Sequence, residues 1–204
     1  MRVAIVGGTG SFGRALAQRL HEVGEDEVLI GSRDIERAKS AAEDLGVTGA
    51  RNEDVVADAD LVVLAVKSDA TLTTAQELAA AIGKTPVLSV ASDLRFKENG
   101  ILPGRHQGSL AEEVAKIVRG PVASGLQSFA AVNLREGDPG DALVCGGDDL
   151  AKELALELAG RVGARAVDVG PLENSRALEG MTAVILNVNK RYKTHAGIRL
   201  TGLP

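Results

Sequence analysis

At 204 residues, with 45% hydrophobic and 25% charged content, the chain has an ordinary globular composition and room for one large or two small cores. A net charge of −5 and an aromatic content of 2%, with no Trp, argue against general attraction to nucleic acid or anionic membrane and against base-stacking surfaces. The single cysteine, Cys145, and three scattered histidines supply neither a disulfide framework nor a metal-ligand pattern; without a leader or a membrane-length apolar run, the protein is expected to be cytoplasmic.

The chain opens with a β-branched apolar run, Val3 to Val6, that leads into Gly8-Thr9-Gly10-Ser11-Phe12-Gly13. The spacing is G-x-G-x-x-G between a strand and a periodic helix, which is the context a dinucleotide fingerprint requires. Gly8 is expected to take the turn conformation, Gly10 to let backbone approach a pyrophosphate, and Gly13 to bring the new helix close to the sheet. The unpaired N–H groups at the helix start then face the phosphates. The first helix spans about 11–23, with Phe12, Ala15, Leu16, Leu20 and Val23 at helical spacing, and Gly24 ends it.

A second strand over about 27–31 ends in Gly31-Ser32-Arg33. An NAD site places an acid here to accept hydrogen bonds from ribose hydroxyls, whereas a 2′-phosphate would be repelled by it. Ser32 donates readily to a phosphate oxygen, Arg33 offers a permanently charged planar fork, and Arg37 follows one turn later. The pattern predicts NADP(H) over NAD(H), with solvated surface cations as the alternative, and Asp34 is assigned to the N-cap of the next helix.

That helix carries Ile35, Ala38, Ala42 and Leu45 on one side and stops at Gly46. A short strand near Val47 and a small helix lead to Asp60–Val66, whose unbroken apolar run predicts a central parallel strand buried on both faces. Ser68 or Asp69 is expected to cap the following helix, and Lys67 and Ser68 fall at a strand's carboxyl end, beside the cofactor crevice. A fifth strand spans about 86–91 and includes Val90 and Ala91.

Residues 92–108, with three glycines and one proline, read as a long aperiodic loop on the substrate side. Ser109-Leu-Ala-Glu112 is a capping box opening another helix. Strand 122–125 then runs into Leu126-Gln127-Ser128-Phe129-Ala130-Ala131, a segment suited to the wall beside a nicotinamide. A strand at 141–145, a helix capped by Asp148 and Asp149, and a strand at 165–169 complete the β-α alternation.

From Gly170 one long helix is expected to about Tyr192, covered on most sides along Met181–Leu186 either by this chain or by a second copy. Asn187 interrupts that run and is either a satisfied amide or a ligand contact. From Gly180 onward there is no Asp or Glu but four cations, Lys190, Arg191, Lys193 and Arg199, so this block carries +4 and the rest of the chain −9. Cations favour helix C-termini; the alternative is a docking surface for an anionic substrate tail.

Gly7-Gly-Thr-Gly-Ser-Phe-Gly13, Gly31-Ser-Arg33, Val144-Cys-Gly-Gly-Asp-Asp149 and Gly170-Pro-Leu-Glu-Asn-Ser-Arg176, in this order and at these spacings, resemble the NADPH-dependent reductases of the deazaflavin coenzyme F420. The resemblance implies a Rossmann-type, doubly wound α/β fold with a mainly parallel sheet and a small C-terminal helical extension. It divides the chain into an NADP-binding part, 1–120, and a smaller substrate-side part, 121–204. It also implies hydride transfer between NADP(H) and F420, the latter as second substrate. By matching position, Thr9, Gly10, Ser11 and Phe12 lie at the pyrophosphate, and Ser32, Arg33 and Arg37 at the 2′-phosphate. Val66, Lys67, Val90, Ala91 and Ala130 line the nicotinamide side.

The segment Leu126, Gln127, Ser128 and Phe129 stands where the family often shows His-Thr-Ile-Pro, which bears on the deazaflavin contacts expected of it, together with Asn187 and Arg191. Hydride transfer between two organic rings needs no catalytic acid, base or metal from the protein. His106 and His195 qualify only by residue type. The apolar last helix suggests a homodimer. Alternatives are an NADPH-dependent flavin or ferric reductase, a small imine or keto reductase, or a non-catalytic NADP(H) sensor.

Overall fold

The computed structural model describes residues 1–104, 108–136 and 139–203. Ten strands and eight helices alternate along the described chain. The strands are β1 (Arg2–Val6), β2 (Glu27–Ser32), β3 (Thr48–Arg51), β4 (Leu61–Leu64), β5 (Val87–Ser89), β6 (Leu94–Lys97), β7 (Gly100–Pro103), β8 (Val122–Gly125), β9 (Asp141–Gly146) and β10 (Arg165–Asp168). The helices are α1 (Ser11–Val23), α2 (Ile35–Leu45), α3 (Asn52–Val56), α4 (Ser68–Ile82), α5 (Leu110–Ile117), α6 (Ala131–Glu136), α7 (Asp149–Arg161) and α8 (Ser175–Tyr192).

Eight strands form one sheet in the order β10-β9-β8-β5-β4-β1-β2-β3. The chain reverses direction of travel between β1 and β4, the switch point at which open α/β sheets bind ligands. Side chains alternate between the two faces as a strand pleat demands. Val3, Ile5, Leu61 and Val63 face the layer of α1, α2 and α7, whereas Ala4, Val6, Val62 and Leu64 face α3, α4 and α5. The unbroken apolar runs in β1 and β4 follow from this two-sided burial.

The sheet is mainly parallel, as expected: of its strand pairs among the described residues only β8–β9 is antiparallel, and β10 then runs parallel to β9. β5 pairs with β8 across residue 120, and one core cluster extends from Val3 to Ala164. Other expectations need correction. The described part of the aperiodic loop contains an antiparallel hairpin, β6–β7, whose two-residue turn Glu98-Asn99 precedes Gly100. Helix α6, too short to show a period, buries only Leu134 and went unforeseen.

The last helix begins at Ser175, after a separate 3-10 turn at Leu172–Asn174. This chain itself covers only part of it: Leu178 packs with Leu143 and Cys145 of β9, while Val184 is 61% exposed. Neither Ser68 nor Asp69 caps α4, whose N-cap is Lys67 with no side-chain cap. Of the two aspartates before α7, Asp148 caps and Asp149 is already helical. Among the described residues, no helix is long and apolar enough to cross a membrane.

Candidate active site

The loop after β1 is built by exclusion of Cβ atoms. Gly7, not Gly8, takes the left-handed turn conformation, at φ 85°, and a Cβ there would lie 2.6 Å from the Ala65 carbonyl oxygen. Gly8 has no special φ; its own Cβ would collide with Ile30 of β2 at 2.5 Å. A Cβ on Gly13 would meet the Gly7 oxygen at 2.5 Å, so this glycine lets α1 start directly against the loop. Hydrogen bonds from Gly8 N to Ile5 O at 3.1 Å and from Gly10 N to Gly7 O at 2.9 Å close the turn.

Gly10 is the N-cap of α1 and brings no side-chain cap. By contrast Asp34 caps α2, Ser109 caps α5 and Asp148 caps α7. The first-turn N–H groups of α1, next to Thr9 and including those of Ser11 and Phe12, therefore have no capping oxygen from the chain, and the helix dipole adds positive potential there. That is the cradle a pyrophosphate requires.

At the neighbouring carboxyl end of β2, Ser32 is nearly buried and its Oγ accepts from Asp34 N at 3.2 Å. The Asp34 carboxylate accepts from Glu36 N at 3.0 Å and Arg37 N at 3.2 Å, so its charge is turned into α2. Arg33 and Arg37 are exposed and make no salt bridge among the described residues. The loop and this cationic end are adjacent because β1 pairs with β2 from Arg2↔Glu27 to Val6↔Gly31.

On the other side of β1, β4 ends in Ala65, Val66, Lys67 and Ser68. The Lys67 carbonyl accepts from Thr71 Oγ1 at 3.0 Å, which starts α4 without a side-chain cap and leaves the Lys67 side chain exposed. β5 follows with Val90 and buried Ala91, and β8 with buried Leu126, Gln127, Ser128 and Phe129, then half-buried Ala130. The ends of five adjacent strands thus bring the anion cradle, the cationic end and the apolar walls onto one edge of the sheet.

Helix α8 closes the far side through polar contacts that sequence reasoning missed. Thr182 Oγ1 lies 2.8 Å from Ser92 Oγ and donates to Gln127 O at 3.2 Å, linking the segments that follow β5 and β8. Glu179, almost fully buried, accepts from Asp93 N at 3.3 Å and Ala111 N at 3.2 Å. Its burial outweighs these bonds and raises the carboxyl pKa. Asn187 is committed to the hairpin: its Oδ1 accepts from Ile101 N at 3.0 Å, and its Nδ2 donates to Ile101 O at 2.6 Å and Ala183 O at 2.8 Å. Apart from Ala183, one turn before Asn187, these partners lie tens of residues apart, so no local pattern announces them.

Arg191 is exposed in the last turn of α8, next to Lys190. His195 is exposed and its carbonyl accepts from Asn133 Nδ2 at 2.7 Å, while His106 lies outside the described residues. Burial pushes the Cys145 thiol up to about 12, so it offers no thiolate. No group of ligating side chains fit for a metal occurs among the described residues.

Residues 2–93 match the family described as NADP oxidoreductase, coenzyme F420-dependent. The chain is 34% identical to the F420-dependent NADP reductase of Methanocaldococcus jannaschii, covering 100% of this chain and 99% of that protein. It is 36% identical to the protein of that name from Methanothermobacter thermautotrophicus, over 100% of this chain and 96% of the relative. The chain belongs to the F420-dependent NADP reductase family. A crystal structure from Arthrobacter sp. FB24, described as a candidate F420-dependent NADP reductase, superposes with a TM-score of 0.84 over 98% of this chain and 99% of that one. At 24% identity this likeness shows the shared fold. The same holds for 1-pyrroline-5-carboxylate reductase from Streptococcus pyogenes, at TM-score 0.67 and 19% identity, covering 94% of this chain and 64% of that one. The family assignment therefore rests on the full-length relatives, whose similarity continues beyond residue 93.

Proposed function

We propose that this chain acts as an F420-dependent NADP reductase, transferring a hydride between NADP(H) and coenzyme F420. The end-to-end similarity to relatives bearing that name carries the reading. The residues present suit the cofactor: Gly7, Gly8 and Gly13 hold the loop tight against Ala65, Ile30 and the start of α1, and the adjacent strand end presents cations where NAD sites present an acid. Gly8, Thr9, Gly10, Ser11, Phe12 and Gly13 would surround the pyrophosphate. Ser32, Arg33 and Arg37 would hold the 2′-phosphate through charge-assisted bonds worth about 1.5–3 kcal/mol each.

Between the two rings the nicotinamide supplies or takes the hydride directly, so the chemistry belongs to the cofactors. The chain's task is placement and exclusion of water. Val66, Lys67, Ser68, Val90, Ala91 and Ala130 would frame the nicotinamide, with Leu126, Gln127, Ser128 and Phe129 on the deazaflavin side. Asn187 would act there through the hairpin it holds, and Arg191 would meet an anionic part of the substrate at the rim.

A homodimer in the cytoplasm belongs to the same proposal, supported by the exposed apolar surface of Val184 and Tyr192 on α8. Purified protein with NADPH should bleach the visible absorbance of oxidised F420. Absence of turnover across a broad pH range, with NADPH binding intact, would leave the sensor reading instead. Sedimentation as a monomer would remove the dimer.

A further inference from the structure

The two walls assigned to the nicotinamide side follow neighbouring strands, β5 and β8, whose ladder ends at Ser89↔Ser124, and one side chain ties the turn beyond to that last pair. It comes just after Leu126, a leucine held in the left-handed region at φ 67° and only 1% exposed. A bulky residue adopts this conformation only where its surroundings fix it, and such residues cluster at functional sites. Here Phe129 N donates to Leu126 O at 3.0 Å, Thr182 Oγ1 donates to Gln127 O at 3.2 Å, and Ser128 Oγ donates to Asp141 O at 3.1 Å.

The Gln127 side chain reaches back to the strands. Its Nε2 donates to Ser124 Oγ in β8 at 2.7 Å and to the carbonyl of Ser89, the last residue of β5, at 3.3 Å. Val90 and Ala91 directly continue from Ser89, and Ala130 follows closely after Gln127. The other end of the amide, Oε1, is buried without a hydrogen-bond partner, as is Ser89 Oγ. Unpaired buried acceptors oppose folding, so stability alone does not favour an amide here.

We infer that Gln127 is a positioning residue for hydride transfer: by tying the strained turn at Leu126 to the last ladder pair, Ser89 and Ser124, it sets the spacing between the Val90–Ala91 wall and the Ala130 wall, and with it the seat of the nicotinamide ring. The inference rests on the reductase reading above.

The test compares wild type with Gln127→Met, which keeps the length and removes the amide, and with Ser124→Ala, which removes one acceptor. NADPH affinity is measured by titration, the seating of its ring by the emission of bound nicotinamide, and hydride transfer by single-turnover oxidation with F420. In Gln127→Met the affinity should stay within about threefold while emission moves toward that of free NADPH and the transfer rate falls by about tenfold or more. Ser124→Ala should show the same signs at a smaller size, and it decides the matter if the methionine variant does not fold.

Unchanged emission and rate in a folded variant would overturn the assignment, as would an equal collapse of affinity and rate. Wild-type protein that binds NADPH but never reduces F420 refutes the proposed activity instead; the emission comparison then still tests the tie.

Discussion

The two ends of the site are made in different ways. Around β1 and β2, the cradle consists of backbone shaped by missing side chains: Gly7 turns, Gly8 and Gly13 allow close approach, and α1 starts without a capping oxygen. Around β5, β8 and α8, the wall consists of side chains bonded to distant backbone: Gln127 to Ser89, Thr182 to Gln127, Asn187 to Ile101. The first end has no freedom to tolerate change, because a Cβ on Gly7 meets a main-chain oxygen that cannot rotate away. The second is a set of ties that can be cut singly.

The largest expected effect follows from that rigidity. Gly7→Ala would place a methyl 2.6 Å from the Ala65 oxygen at a φ of 85°. Strain and overpacking together should destabilise the fold by about 2–4 kcal/mol. If the displaced loop loses two charge-assisted bonds to phosphate, NADPH affinity should fall by about 100-fold or more. Thermal unfolding and NADPH titration check both; a variant with wild-type affinity would show that the loop is not the cofactor's seat.

Arg33→Ala tests selectivity at the same end without touching the backbone. The side chain is exposed and makes no intramolecular salt bridge among the described residues, so stability should change little. The Michaelis constant for NADPH should rise about 10- to 100-fold and that for NADH should stay within about twofold. Equal changes for both cofactors would remove the 2′-phosphate assignment.

What could be read in the sequence follows the same division. Glycine spacing, a strand end lacking an acid, and the caps Asp34, Ser109 and Asp148 are local patterns with local causes, and each placed an element. The pattern did not distinguish Gly7 from Gly8, because adjacent glycines look alike until a neighbouring strand is present. The β6–β7 hairpin left a weak trace in Asn99-Gly100 and the alternation of Leu94 and Phe96. Thr182, Glu179 and Ser89 left none, since their partners are set by the packing of α8 and by strand order. The reversal of β9 was equally silent, because a β-α unit reads alike whichever way its strand enters the sheet. Recognition of the C-terminal part came from whole motifs, Val144–Asp149 and Gly170–Arg176, rather than from any contact legible residue by residue.

Cutting a tie at the second end should have a smaller, more selective effect. Asn187→Ala removes three hydrogen bonds, two of them to Ile101 in the hairpin. The local cost should be about 1–3 kcal/mol, because Ile101 N and O lose their partner. Exchange of the Ile101 amide proton should accelerate while that of β1 amides does not. If the hairpin serves the deazaflavin side, the Michaelis constant for F420 should rise a few-fold with that for NADPH unchanged. A matching rise for both would show that the two ends are not independent.

The smallest effect is a pH dependence at the anchor of α8. The Arg176 side chain bonds Glu112 at 2.7 Å through Nε and at 2.5 Å through Nη2, holding the carboxyl down at about 2, with the capping box at Ser109 adding to the shift. A carboxyl whose pKa falls on folding stabilises the native state above its unfolded value of 4.5 and loses that contribution as pH drops toward about 2. Asp141 and Asp168, lowered by Arg165 and by Gly170 N respectively, act in the same sense. Glu179, raised by burial, acts oppositely and gains stability as it protonates. Glu112→Gln isolates one carboxyl from this sum. Because Arg176 is 53% exposed and its charge is screened by water, the variant should be only slightly less stable at neutral pH. That deficit should shrink steadily between pH 4.5 and about 2, where wild-type Glu112 itself becomes protonated. Denaturant unfolding of both proteins across that range measures the difference directly. A deficit independent of pH would show that neither Arg176 nor the capping box draws stability from the charge of Glu112.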